Sequence, residues 1–420
     1  MDLRDWSFNM SQYSNEIQIE IDDVYGCPGH CPGCTLSSLE RKSDNADMAP
    51  TTMIHAINKL KEYIPTLKNL EKINLTYGIA DHFLMSKDYL ANTYDLGASL
   101  IESANLSNPY NGIFYSASMI GKHEVIMDKV KFMYDLSQKR GIPFYIIAVL
   151  DPKHLYHKKF AEVYKKNIIE TNKLIGKVDL AINLSEEAIN AITPDELFSF
   201  ALQNEFDEVT INWTPTFDNL QYVYMNQKKL ASWLLKFDEL IAESKNLDTS
   251  YRPVIIKTIN NLKCKMPEQE LSFQENLEYN LPELVHKSIQ IDDKGNIFPK
   301  YEAIGDIAHT PRLGFDAIGN VVEQLSIKEM FSKHLVETKK NVTKQFIKEP
   351  CNSCEYNKYC ANSGFHIYNY VLNQAAKKDI NIALAIKKNI KELECLHVAK
   401  QLFKHYEEIC ELADNSKIGA

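Results

Sequence analysis

No apolar run in this 420-residue chain is long enough to cross a bilayer: the longest, Ile142 to Leu150, is nine residues, against about 20 for a spanning helix. Residues 1–15 are polar, carry Asp2, Arg4 and Asp5, and hold no apolar signal-peptide core. Positive charge is not in surplus. The 47 Lys and Arg stand against 56 Asp and Glu, for a net charge of −9 and a pI near 5.8. That balance argues against holding nucleic acid or an anionic membrane by bulk charge. Internal repeats and low-complexity linkers are also missing. With 45% hydrophobic and 25% charged residues, the composition is that of a globular chain with a large core and not of a disordered one. Nine cysteines are present, but an odd count in a long chain without an export signal does not make a disulfide framework. The expectation is a cytoplasmic protein, with no nucleic-acid partner and no membrane, whose clustered cysteines hold metal.

Between residues 16 and 247 the chain alternates strand-like and helix-like segments. Residues 16–23 read EIQIEIDD, with Ile17, Ile19 and Ile21 alternating against polar residues, a strand pattern. Further strands are expected at 72–77, 113–118, 143–149, 178–184 and 208–213. Helices are expected at about 49–66, 87–105, 122–140, 153–175, 194–203 and 218–244, with Gly141 and Gly176 as stops. Six successive βα units predict a parallel sheet, either doubly wound or curled into part of a barrel, with ligands beyond the C-terminal strand ends. Past residue 247 the rhythm changes. Residues 251–261 and 289–298 are strand-like, Asp293-Lys294-Gly295-Asn296 reads as a hairpin turn, and residues 375–414 read as amphipathic helix.

Six cysteines fall in two groups. The first, Cys27-Pro28-Gly29-His30-Cys31-Pro32-Gly33-Cys34, directly follows the first strand. Its two Pro-Gly pairs turn the chain back so that three sulfurs can converge. Three thiolates, with no further cysteine before Cys264, suit an iron–sulfur cube with one iron left without a protein ligand. A zinc knuckle completed by His30 is the alternative.

This C-x3-C-x2-C run, after the first strand of six βα units, resembles the radical S-adenosylmethionine (radical SAM) superfamily. The resemblance implies an α/β chain with a partial (β/α)6 TIM-like barrel over residues 16–247, after an extension at 1–15. Cys27, Cys31 and Cys34 would hold a [4Fe–4S] cluster whose open iron chelates S-adenosylmethionine. One electron, from an external donor of flavodoxin or ferredoxin type, would split the sulfonium. The resulting 5′-deoxyadenosyl radical would take a hydrogen atom from substrate, in an oxygen-sensitive enzyme. The family usually has an aromatic residue before the third cysteine; here it is Gly33. The form Cys-Pro-Gly-Cys occurs in the branch that activates glycyl-radical enzymes, and adenine packing then falls to Tyr25 or His30. The family's second strand ends in Gly-Gly-Glu, where this chain has Thr76-Tyr77-Gly78-Ile79-Ala80-Asp81-His82. Gly78 matches in kind. Asp81 is the nearest acid able to accept from the ammonium of S-adenosylmethionine, or else it caps the following helix. Ser116, Ser118, Asn183 and Asn212 lie at strand ends where ribose or carboxylate contacts are expected, positions that ordinary strand-end hydrogen bonds also fill.

The second group, Cys351, Cys354 and Cys360, has spacing C-x2-C-x5-C. It resembles the SPASM extension of many radical SAM enzymes, as does the stretch IQIDDKGNIFPKYEAIGDI. Two cysteines of the fuller pattern are replaced by Lys300 and Gly364, which implies one auxiliary [4Fe–4S] cluster and not two, in a smaller α+β iron–sulfur domain over residues 248–420. Cys395 is the nearest downstream candidate for a fourth ligand. Cys264, a non-cysteine ligand or an open iron are the others, and zinc is the alternative metal. Helix-core burial is the plain reading of Cys395 and Cys410. Cys264 stands between two lysines, which favour its thiolate. It is either a hydrogen-atom donor to a substrate radical or an ordinary surface cysteine.

SPASM-bearing relatives mostly modify peptides or proteins, and some oxidise small alcohols. The expected substrate is therefore a peptide or protein, with a small molecule second and a non-catalytic metal-binding protein third. With 26 residues before Cys27, a fused leader-peptide-binding domain is not expected. A peptide would then arrive on a separate carrier protein or be recognised by the C-terminal region.

Overall fold

The computed structural model describes residues 16–29, 36–37, 39–44, 46–106, 108, 111–150, 154–155, 159–176, 178–183, 186–206, 208–212, 227–243, 288–299, 316–346, 349–357, 372–373, 376–377, 380–396 and 400–401. In chain order the elements are β1 (Glu16–Asp22), α1 (Pro50–Tyr63), β2 (Lys72–Gly78), α2 (Lys87–Ala104), β3 (Gly112–Ala117), α3 (His123–Arg140), β4 (Phe144–Val149), α4 (Ala161–Ile175), β5 (Val178–Asn183), α5 (Pro194–Gln203), β6 (Glu208–Asn212) and α6 (Gln227–Glu243). A short helix, Glu186–Ala191, precedes α5. Then come β7 (Ser288–Ile291), β8 (Asn296–Pro299), β9 (Gly319–Asn320), α7 (Ile327–Phe346) and α8 (Ile380–Leu393).

Strands β1 to β6 pair in parallel with their chain neighbours, and the whole sheet runs β6-β5-β4-β3-β2-β1-β7-β8-β9. A doubly wound sheet would reverse its order at a switch point. From β1 to β6 the order does not reverse, so right-handed crossovers place α1 to α5 on one face, the winding of a partial barrel, and β7 joins at the free edge of β1.

The two faces differ in chemistry. Ile17, Ile19 and Ile21 are fully buried in one apolar cluster with Met53, Ala56, Ile57 and Leu60 of α1, each worth about 2 kcal/mol of burial. The alternate residues Glu16, Glu20 and Asp22 are buried too, on the opposite, inner face. The alternation that marks β1 as a strand therefore separates a helix-covered side from a polar barrel interior, not core from solvent.

Local signals account for the helix ends. Gly141 and Gly176 end α3 and α4 at φ 74° and 76°, a conformation that costs glycine nothing. Thr193 and Glu196 form a reciprocal capping box on α5, with Pro194 in its first turn.

The hairpin read at Asp293–Asn296 is β7–β8. Asp292 Oδ1 accepts from the backbone N–H groups of Lys294 (3.0 Å) and Asn296 (2.8 Å), and Gly295 takes φ 78°. β7 pairs in parallel with β1, Gln18 to Ser288 through Ile21 to Ile291. The segments on either side of residue 247 thus share one sheet. α7, a twenty-residue helix, has no counterpart in the sequence reading. The strand expected at 251–261, the first turns expected of the 218–244 helix and the end of the 375–414 helix lie outside the described residues.

Helix α2 packs close on the sheet because residue 97 has no side chain. A Cβ there would stand 2.8 Å from Leu75 Cδ2 and 3.0 Å from Ile113 Cδ1. Gly97→Leu should cost about 1–3 kcal/mol of stability by overpacking, read as a lower urea midpoint at unchanged m-value.

Candidate active site at the strand ends

The loop that leaves β1 is held by backbone contacts on every side. The Gly26 carbonyl accepts from Asp81 N–H (2.9 Å), and Cys27 N–H donates to the Arg41 carbonyl (3.1 Å). A Cβ on Gly26 would lie 2.1 Å from the Ser43 carbonyl oxygen, so only glycine allows this approach. Gly29 N–H donates to Cys27 Sγ at 3.3 Å, the kind of bond that steadies a thiolate. Tyr25 N–H donates to Asp47 Oδ2 (2.8 Å), and its hydroxyl to Asp293 Oδ1 in the β7–β8 turn (2.7 Å). The hairpin, 268 residues away in sequence, is therefore clasped to the cysteine loop.

The loop after β2 is the other half of the seat. Asp81 accepts from Phe83 N–H (3.0 Å) and from the Ser118 hydroxyl beyond β3. Burial raises its carboxyl above the ordinary value, against those two hydrogen bonds, which lower it. Lys129 of α3 donates to the carbonyls of Phe83 (2.6 Å) and Met85 (2.7 Å). His82 is fully buried. Its Nε2 lies 2.7 Å from Asp23 Oδ1, and its Nδ1 lies 3.1 Å from the Ser116 carbonyl oxygen. Asp23, also fully buried, accepts from the Tyr89 hydroxyl of α2 at 2.6 Å. Its carbonyl accepts from the N–H groups of Asp47 and Met48.

Of the residues expected at the site, Cys27, Gly78, Asp81, Ser116 and Ser118 are grouped at the C-terminal ends of β1 to β3. Gly78 faces Asp22 across the β1–β2 pair, and a Cβ there would lie 3.5 Å from Glu20 Oε1. Asp81 caps the 3₁₀ turn His82–Leu84, and its carboxylate is engaged within the chain. Asn183 and Asn212 are paired with each other at the ends of β5 and β6. Cys31, Cys34, Cys264, Cys360 and Cys410 lie outside the described residues, as do His30, Gly33, Lys300 and Gly364. Asp23 and His82 were not singled out in sequence. A histidine after a strand and a second acid after Asp22 carry no spacing signal; only the fold brings them together.

At the second group, Cys351 and Cys354 are partly buried and Cys395 is buried. Burial pushes the Cys351 thiol up to about 12, with Cys395, Cys354 and Glu349 adding to the shift. The three thiols therefore share one neighbourhood. Among the described residues, no three His, Cys, Asp or Glu side chains stand as a ready metal-ligand set, and no helix is long and apolar enough to cross a membrane.

No protein-family model matches the sequence, and no curated protein matches it. Solved structures do match the fold. Native anSMEcpe with bound AdoMet and Cp18Cys peptide matches with a TM-score of 0.54 at 9% identity, over 87% of this chain and 100% of that one. A hexahistidine-tagged anSMEcpe with bound AdoMet matches with a TM-score of 0.52 at 10% identity, over 86% and 98%.

Gly26→Ala should dislodge the cysteine loop and leave the barrel folded. The expected outcome is faster alkylation of Cys27 in the metal-free protein, by mass spectrometry, with an unchanged far-ultraviolet circular dichroism spectrum.

Proposed function

We propose that this chain is a radical SAM enzyme that acts on a peptide or protein. The observation that carries the reading is the placing of Cys27, first thiol of C-x3-C-x2-C, in a backbone-clamped loop at the C-terminal mouth of a partial (β/α)6 barrel, the end where such folds bind ligands. The donor chemistry fits an iron–sulfur cluster: the ligands are thiolates, and the Gly29 N–H already points at Cys27 Sγ. Cys27, Cys31 and Cys34 would hold it, and when bound it would supply the electron that cleaves S-adenosylmethionine.

The chain's own contribution is position. Gly26, Asp81 and Arg41 clamp the loop through the backbone, Gly78 leaves room at the end of β2, and Ser116, Asn183 and Asn212 stand at strand ends, the positions where ribose and carboxylate contacts would be made. The polar inner face of β1, with Glu20 and Asp22, lines the space below. Cys351, Cys354 and Cys360 would hold one auxiliary cluster, with Cys395 as fourth ligand; the packing of Cys351 against the apolar cluster that contains Cys395 supports that assignment. Residues 248–420 would then be the auxiliary-cluster region. The peptide substrate is supported by anSMEcpe, which has this fold and was solved with both AdoMet and the Cp18Cys peptide.

Anaerobic reconstitution with iron and sulfide should give brown protein with about eight irons per chain, falling to about four in Cys351→Ala. With S-adenosylmethionine and a strong reductant it should release 5′-deoxyadenosine, and Cys27→Ala should abolish release. Colourless, zinc-loaded protein would contradict the reading.

A further inference from the structure

We infer that His82 is a positioning residue for the cysteine loop, held as a doubly protonated imidazolium that locks the exit of β1 to the ends of β2 and β3. The inference deepens the proposed function and rests on it for the identity of what the loop holds.

The geometry of the two ring nitrogens carries the argument. Nδ1 faces the Ser116 carbonyl oxygen at 3.1 Å, and a carbonyl only accepts, so Nδ1 carries a proton. Nε2 faces Asp23 Oδ1 at 2.7 Å, and that contact also needs a proton between the two heavy atoms. Neutral histidine has one N–H, so the second proton sits on Nε2 or on Asp23; the Tyr89 hydroxyl donates to the other Asp23 oxygen, so the carboxylate accepts on both sides and the proton belongs to the ring. With both on the ring, the contact is an imidazolium–carboxylate ion pair, both partners fully buried.

The carboxylate bonded to the ring is that of Asp23, and the nearby Asp81 adds a further favourable charge. Tyr77 of β2 and Tyr115 of β3 flank the ring at centroid separations of 6.3 and 5.6 Å, and burial keeps both phenols protonated. Tyr89 of α2 donates to Asp23 from the other side. Asp81 is the adjacent acid, tied to Ser118, and Lys129 of α3 is spent on the Phe83 and Met85 carbonyls.

What the pair joins explains its use. Asp23 lies four positions before Cys27 and is the last residue before the loop turns; its carbonyl also holds Asp47 and Met48. His82 lies next to Asp81, whose N–H holds Gly26. The pair therefore sits at the base of both strands of the seat. Burial, the largest single influence, would lower the basicity of His82, but the Asp23 charge and hydrogen bond, the Ser116 carbonyl and the Asp81 charge together outweigh it and the ring stays above its ordinary value. The sign follows. The lock is complete below the unfolded histidine value of 6.5 and is lost as pH rises through the raised folded value.

Two readouts test this. In metal-free, 15N-histidine-labelled full-length protein, with His82→Gln used for assignment, His82 should show both nitrogens protonated at pH 7.5. Asp23→Asn, which keeps shape but removes the charge, should leave Nδ1 alone protonated. In reconstituted protein, iron loss to a chelator should rise about tenfold in the wild type as the pH is raised from 6.5 through the His82 titration that the nitrogen spectrum records. It should be already fast and nearly flat with pH in Asp23→Asn, and Tyr89→Phe should keep the wild-type rise. A neutral His82 in the wild type at pH 7.5 overturns the inference, as do superimposable wild-type and Asp23→Asn release profiles. If Asp23→Asn does not fold, the wild-type spectrum still decides. If the protein takes up no iron, the proposed function fails while the histidine spectrum still reads on His82.

Discussion

The junction of three strand ends rests on one buried proton. Removing two full charges from water costs several kcal/mol per ion, and Asp23 and His82 repay it only because each of their facing atoms is matched: Ser116 and Tyr89 complete what the ion pair leaves open. That arrangement fixes β1, β2 and β3 in relative height just where the chain departs from the sheet. A loop that must bring three thiols to one point needs such a base, because a displacement of an ångström at the strand ends is carried directly to the sulfurs.

Outward from that junction, the constraints become progressively more local. Gly26 makes room for the Ser43 carbonyl, Asp81 meets Gly26 through the backbone, and Tyr25 reaches the β7–β8 turn. This last contact gives the C-terminal part of the chain a direct hold on the cysteine loop. Through β7 it also lies alongside β1.

Much of the fold was legible because it depends on periodicity and on local stops. The six strands, Gly141, Gly176 and the Asp293–Asn296 turn each follow from a pattern within ten residues or so. The inner face of β1 was legible only as alternation; that Glu16, Glu20 and Asp22 are buried along with the isoleucines depends on barrel curvature, which no single strand encodes. α7 escaped because its apolar residues are diluted by lysine and glutamate. At the site, the cysteine spacing was readable because covalent turn chemistry sets it. Asp81 and Ser118, read as possible partners of a bound cofactor, bond to each other, and Asp81 also fills the cap role read as its alternative. His82 and Asp23 could not be paired from sequence, since their meeting is a matter of sheet register and not of spacing.

The chemistry proposed for the mouth of the barrel makes one claim that everything else serves: an iron held by the Cys27 loop binds S-adenosylmethionine directly. Electron–nuclear double resonance on the reduced, reconstituted protein with S-adenosylmethionine carrying 15N in its amino group measures it most directly. The account predicts a 15N hyperfine coupling to the cluster that disappears in Cys27→Ala. A reduced cluster with no coupling to the labelled amino group would contradict it.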